Sequence, residues 1–244
     1  MRVLVTGSAD GLGRLAAESL LANGHEVVVH VRNEGRRDAV STLAERGARV
    51  VVGDLADVDE TRDVAAQANR LGRMDAVIHN AGVYSGADVA AVNVVAPYLL
   101  TALMERPDRL VYLSSGMHRG GRPFVVAPEW SSGRSKISYS DSKLFVTDLA
   151  LAVARLWTDV LSNAVDPGWV PTRMGGPSAP DDLALGHLTQ EWLATSTEGA
   201  ALTTGGYWHH QRRSAPHPAA GELDFQERLL DSLAAFTGVV LPGR

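Results

Sequence analysis

The chain has 244 residues, 45% of them apolar, a formal net charge of −5 and no cysteine. That length suits one large α/β domain spanning 1–244, and the mild acidity excludes the basic excess of nucleic-acid-binding proteins. Without cysteine there is no disulfide framework, thiolate nucleophile or cysteine-based zinc site, which fits a reducing compartment. No charged-then-apolar leader precedes a first strand expected from residue 2 and no uncharged apolar run reaches the roughly 20 residues of a membrane span, so a cytoplasmic chain with neither membrane nor nucleic-acid partner is expected.

In chain order, short all-apolar runs at 3–5, 26–31, 50–52, 76–79, 109–113 and 161–165 alternate with amphipathic stretches ending near 23 and at 37–46, 59–69, 88–105 and 139–156. Strict alternation with all-apolar strands predicts a doubly wound parallel sheet of Rossmann type with helices on both faces. Ligands of such sheets sit at the carboxyl ends of the strands. Residues 173–200 hold the glycine- and proline-rich run 175–182 and read as a loop or lid. The stretch 205–244 reads as an irregular extension.

Two patterns carry chemistry. The first strand runs into Gly7-Ser8-Ala9-Asp10-Gly11-Leu12-Gly13 and then a helix start. Gly7 can take the sharp turn, Gly11 lets backbone approach a phosphate, and Gly13 lets the helix lie close on the strand, while free N–H groups at the helix start face an anion. In Tyr139-Ser140-Asp141-Ser142-Lys143 a phenol and an ammonium share one helix face. A fixed cation favours phenolate, which would bring a side chain of ordinary pKa about 10 toward the range of proton transfer.

Thr6-Gly7-x-x-x-Gly11-x-Gly13, Asn80-Ala81-Gly82, Asn93, Ser114-Ser115, Tyr139-x-x-x-Lys143 and Asp166-Pro167-Gly168 together resemble, in order, the short-chain dehydrogenase/reductase family. The resemblance covers about residues 1–205, and Ser114 to Arg119 with the long insertion before Tyr139 look most like its retinol-dehydrogenase and carbonyl-reductase branches. It implies hydride transfer between a nicotinamide cofactor and a small-molecule carbonyl or alcohol. Ser115 would hydrogen-bond the substrate oxygen, Tyr139 transfer the proton, Lys143 lower its pKa and bind ribose hydroxyls, and Asn93 hold a water linking Lys143 to solvent. The implied cofactor contacts are Gly7, Ser8, Ala9, Gly11, Leu12, Gly13, Asp54, Leu55, Asn80, Ala81, Gly82, Tyr139, Lys143, Pro167, Gly168, Val170 and Thr172. His79 stands where the family carries an asparagine and reads as a satisfied strand histidine. Asp54 reads equally well as an adenine contact or as a turn aspartate. A homodimer or homotetramer through the helices starting near Asp88 and Tyr139 is also implied.

The second strand bears on the form of the cofactor. An acidic residue at its tip would accept from the adenosine ribose, whereas arginine there suits a 2′-phosphate. The strand ends in Arg32-Asn33 with no carboxylate, which favours NADP(H) and leaves NAD(H) open. Arg36 and Arg37 add to the positive field. Two other readings stand beside the reductase: a non-catalytic dinucleotide-binding regulator, against which the full Ser115, Asn93, Tyr139 and Lys143 set argues, and a sugar-nucleotide epimerase or dehydratase, for whose substrate domain the chain is short. His118 reads as a substrate neighbour or a solvated loop residue. His209, His210 and His217 match no zinc spacing, so no metal is expected.

Overall fold

A computed structural model of the chain describes residues 1–124, 130–131 and 136–243. Much of the insertion before Tyr139 lies outside the described residues. Seven parallel strands form the sheet in the order β3-β2-β1-β4-β5-β6-β7: β1 (Arg2–Val5), β2 (Glu26–Val31), β3 (Arg49–Val52), β4 (Ala76–His79), β5 (Arg109–Leu113), β6 (Leu161–Asp166) and β7 (Gly206–His209). An eighth, β8 (Arg212–Ser214), closes the edge antiparallel to β7. The doubly wound parallel sheet read from the sequence is the sheet observed.

Successive strand residues point to opposite faces, and here both faces are apolar. Leu4, Val28, Val51, Val77, Leu110 and Tyr112 join one buried cluster, completed by helices α3 (Val58–Arg70), α4 (Ala96–Leu103), α5 (Tyr139–Leu156) and α7 (Leu223–Thr237). Val3, Val5, Val27, Val29, Ile78 and Val111 join a second cluster with α1 (Gly11–Ala22), α2 (Ser41–Glu45) and α6 (Leu183–Thr195). This double coverage is why the strands are apolar runs without polar alternation.

Local chemistry sets the element ends. Asp57 caps α3 by accepting from the N–H groups of Asp59 and Glu60. Ser138 and Asp141 form a capping box at α5, Ser138 Oγ accepting from Asp141 N and Asp141 accepting from Ser138 N, so Tyr139 is the first residue of that helix. Arg122 adds a second clamp on the Asp141 carboxylate at 2.7 Å.

The structure departs from the sequence expectations in four places. The stretch 37–46 is a 3-10 helix, Glu34–Val40, followed by the single turn of α2. The helix expected over 88–105 carries a π turn, Ala91–Val95, where Ala96 N donates back to Ala91 O; Pro97, which has no N–H, prevents the ordinary bond to Asn93 O. Finally, 205–244 is not irregular: it supplies β7, β8 and α7, which places Phe225, Leu229, Leu230 and Leu233 in the core. Residues 183–195 of the expected loop are likewise helical, packed against α1.

One core residue stands out energetically. Asp148 on α5 is fully buried, and neither carboxylate oxygen has a hydrogen-bond partner among the described residues. Burial pushes its carboxyl up to about 9, against a weaker downward pull from Arg155 and Arg228. The folded state therefore keeps a proton that the unfolded chain releases near pH 4, so stability falls as pH rises from about 4 to 9, by at most about 1.4 kcal/mol per pH unit. Thermal denaturation at pH 5 and pH 8 should show wild type losing stability over this interval and Asp148→Asn losing much less. Parallel losses in the two proteins would show that the carboxyl is ionised and paired in solution.

Candidate active site

The site begins at the carboxyl ends of β1 and β4. Gly7, at φ +68°, turns the chain out of β1 in a conformation that side chains rarely adopt. Three hydrogen bonds fasten the turn to β2: Gly7 N to His30 Nδ1 at 3.1 Å, Ser8 N to His30 O at 3.0 Å, and His30 N to Ser8 Oγ at 3.2 Å. Asn80 donates through Nδ2 to Thr6 O at 2.9 Å and Gly7 O at 3.3 Å, tying β4 to β1. Gly13 makes room for that amide: a Cβ there would lie 2.3 Å from Asn80 Nδ2 and 2.4 Å from Gly7 O.

A groove of about 730 Å³ opens over this junction. Gly7, Ala9, Gly11 and Leu12 line it on one side, with Arg32, Arg36, Asp54 and Leu55 at the end set by β2 and β3. Asn80, Ala81 and Gly82 line its middle, and Tyr139, Lys143, Pro167 and Thr172 its other end. A glycine turn, a helix N-terminus beyond it and basic side chains at one end make a cradle that fits the phosphates of a dinucleotide.

Some expected contacts are not on the groove surface. Ser8 is fully buried, its hydroxyl donating to Val5 O. Gly13 is buried behind the turn, and Gly168 does not reach the groove. Val170 is 4% exposed and packs toward Gly186 of α6. These four shape the cradle from behind. Asp54 accepts from Ala56 N at 3.0 Å in a turn, and it also lines the groove. Arg32 is an exposed guanidinium 4.0 Å from the Asp54 carboxylate, and Arg36 pairs with Asp10 at 3.1 Å.

The four residues expected to carry the chemistry converge. Lys143 is buried, and its Nζ donates to Leu113 O at 2.6 Å. A Cβ on Gly82 would lie 3.3 Å from Asn93 Oδ1 and 3.5 Å from Lys143 Nζ, which places the three side by side. Ser115, just past the end of β5, lies close enough to the Tyr139 phenol to draw its pKa down. Ser114 is buried and bonds Thr147 at 2.7 Å, which leaves Ser115 as the serine of the pair that faces the phenol.

One expectation is corrected here. Burial pushes the Tyr139 phenol up to about 12; the Ser115 hydrogen bond pulls it down, while Asp166 and Tyr84 add to the rise. Lys143 does not offset this, because its ammonium stands 5.5 Å from the ring centroid and is hydrogen-bonded to a backbone oxygen. Burial likewise lowers Lys143 to about 8, with Asp166 opposing. The Asn93 amide, in turn, is occupied by protein: Nδ2 donates to Val83 O and Ser142 Oγ, and Oδ1 accepts from Val83 N. It joins the loop after β4 to α5.

Sequence reasoning passed over His30, which fastens the glycine turn, and Tyr84, an exposed ring 4.8 Å from that of Tyr139. It also missed the reach of the Asp166 carboxylate, which acts on both Tyr139 and Lys143. His118 is neither solvated nor loose but fully buried. His79 is half satisfied: Nε2 meets Thr101 Oγ1 at 3.2 Å, and Nδ1 has no partner among the described residues. No group of three or more His, Cys, Asp or Glu among the described residues is placed to hold a metal, and none of the helices is long and apolar enough to cross a membrane.

A nicotinamide-type cradle beside a Ser-Tyr-Lys cluster at the switch point of a parallel sheet defines an oxidoreductase of carbonyl and alcohol groups. The short chain dehydrogenase family model matches residues 1–105. The short-chain dehydrogenase chry4 of Gibberella zeae is 36% identical over 99% of this chain and 98% of its own length. A Streptomyces protein named for daunorubicin C-13 ketoreduction is 29% identical over 97% and 92%. Among solved structures, the Pseudomonas aeruginosa RhlG/NADP active-site complex shares the fold with a TM-score of 0.67 at 23% identity, covering 85% of this chain and 93% of its own. The chain belongs to the short-chain dehydrogenase family.

The close packing at Gly13 is testable. Gly13→Ala should destabilise the protein by the roughly 1–3 kcal/mol of an overpacked site and weaken dinucleotide binding, because the new methyl displaces Asn80 or Gly7. Gly120→Ala, where a Cβ meets nothing within 4 Å, serves as the control. Equal melting temperatures for the two variants would show that the β1–β4 junction yields easily.

Proposed function

We propose that this chain is an NADP(H)-dependent carbonyl reductase in which Tyr139 is the proton donor, Ser115 holds the substrate oxygen and Lys143 secures the nicotinamide end of the cofactor. The observation that carries the reading is the half-buried Tyr139 phenol beside Ser115 and the Lys143 ammonium, at one end of a groove that begins at a glycine turn. When bound, the nicotinamide supplies the hydride for reduction or accepts it in oxidation.

A phenol with pKa about 12 is fully protonated at neutral pH and serves as a general acid. Transfer of its proton to the developing alkoxide leaves a phenolate that the Ser115 hydroxyl stabilises. Lys143, at about 8, is mainly charged at neutral pH. Asp166 reinforces the reductive poise by holding both the phenol and the ammonium in their protonated forms. The name of the Streptomyces ketoreductase relative points in the same direction. The binding-only alternative gives no account of why Ser115, Tyr139 and Lys143 converge.

NADP over NAD rests on Arg32 and Arg36 lining the β2 end of the groove. Arg32 has most of its side chain free for a charge-assisted contact, whereas Asp10 is already engaged by Arg36. A monophosphate presented there would meet two guanidinium groups. Residues 173–182 would close over the substrate, with Arg173 and Met174 already on the groove wall.

Two measurements separate the parts of this proposal. Arg32→Ala should raise the dissociation constant of NADP⁺ about tenfold or more and leave that of NAD⁺ nearly unchanged, as read by calorimetry; equal losses would remove the NADP assignment. Tyr139→Phe keeps the ring and deletes the hydroxyl, so turnover of any reducible ketone should drop at least ~10²-fold while cofactor affinity holds. Retained turnover in that variant would refute Tyr139 as the acid.

A further inference from the structure

The segment immediately after the proposed oxygen-holding serine is organised by a histidine with no solvent exposure. His118 lies in the 3-10 helix Gly116–Gly120 that follows Ser115. Its Nδ1 stands 2.7 Å from Ser115 O, and its Nε2 stands 2.9 Å from His217 N. A carbonyl can only accept and a backbone N–H can only donate, so the ring carries its proton on Nδ1, donates it to Ser115 O and accepts at Nε2 from His217. Burial keeps the imidazole neutral, in accord with that arrangement.

The partners on the far side all belong to the stretch that carries no family motif. The His118 ring packs on Tyr207 of β7 at 4.5 Å between centroids, and Arg119 donates to Ala215 O at 2.7 Å. His217 is itself fixed, its Nδ1 accepting from Ala219 N at 3.1 Å at the start of the 3-10 helix Pro218–Gly221. Pro218–Gly221 in turn packs against α5, the helix that carries Tyr139 and Lys143. The serine's backbone and the catalytic helix are thus braced by one C-terminal segment.

We propose that His118 is a positioning residue for the reaction: it relays the hold of the C-terminal segment at His217 to the Ser115 carbonyl, fixing the Ser115 hydroxyl against Tyr139. The inference rests on the catalytic reading of Ser115. A serine free to drift from the phenol loses alignment with the developing oxyanion, at a cost smaller than the roughly 10²-fold of a 1 Å displacement of reacting groups.

The test is a double-mutant cycle in the full-length protein. His118→Phe keeps the ring against Tyr207 and removes both hydrogen bonds. His217→Pro removes the backbone donor at φ −56°, an angle proline adopts, together with the imidazole that accepts from Ala219 N, so His217→Ala, which loses the imidazole alone, is its reference. Turnover with a reducible ketone should fall about tenfold in His118→Phe and severalfold in His217→Pro. His118→Phe with His217→Pro should match His118→Phe with His217→Ala, because a relay once cut has nothing more to lose when the side-chain cap is absent from both. The NADP⁺ dissociation constant should stay within about twofold throughout. Wild-type turnover in His217→Pro overturns the relay, as do additive losses in the cycle, or a rise in the cofactor dissociation constant that parallels the loss of turnover. Ser115→Ala is measured alongside: full activity there defeats the catalytic reading itself, whereas an impaired Ser115→Ala with active His118→Phe and His217→Pro defeats only the relay.

Discussion

The interaction on which the rest of the structure depends is the Asn80 amide lodged in the space left by Gly13. Strand order reverses between β1 and β4, and at such a switch point neighbouring loops diverge and leave a crevice. The crevice keeps its shape only if the two strand ends are held together, and Asn80 does so by donating to Thr6 O and Gly7 O. From there the order propagates: Ala81 N bonds the Thr6 hydroxyl, Val83 bonds the Asn93 amide, and Asn93 bonds Ser142 on α5. A chain of short polar contacts therefore runs from the glycine turn to the helix carrying Tyr139 and Lys143.

The electrostatics of the site follow from burial more than from pairing. Tyr139 and Lys143 share a helix face as their spacing requires, yet desolvation acts on each before the other does and drives the phenol up and the ammonium down. The Asp166 carboxylate is common to both and favours the protonated form of each. The residues thus sit in a state suited to giving a proton, and the Ser115 hydroxyl is the contact that draws the phenol back toward the working range.

Much of this was legible in the sequence, for definable reasons. Strand and helix alternation, the glycine turn and Tyr139-x-x-x-Lys143 are local patterns whose geometry is fixed by the backbone, and the structure keeps them. Contacts that depend on distant chain segments were not legible: nothing near His30 or His118 in sequence reveals Gly7 N or His217 N as partners. The stretch 205–244 was misread because β7 and β8 are short and carry Trp208-His209-His210 and Arg212-Arg213, so polar residues masked the strands. The apolar spacing Phe225, Leu229, Leu230 and Leu233 was a helical signal in that same stretch.

The α7 roof has a consequence for assembly. It covers α5 with Phe225, Leu229, Leu230 and Leu233, while the residues after it are anchored by Tyr98 Oη to Val239 O and Trp157 Nε1 to Pro242 O. The helices through which the family resemblance implies self-association, α4 and α5, thus meet part of their own chain. A second copy could reach the covered surface only by displacing this occupant and re-exposing side chains whose burial is worth about 1.5–3 kcal/mol each. This face of the catalytic helix is covered by the same chain, so that contact does not depend on protein concentration.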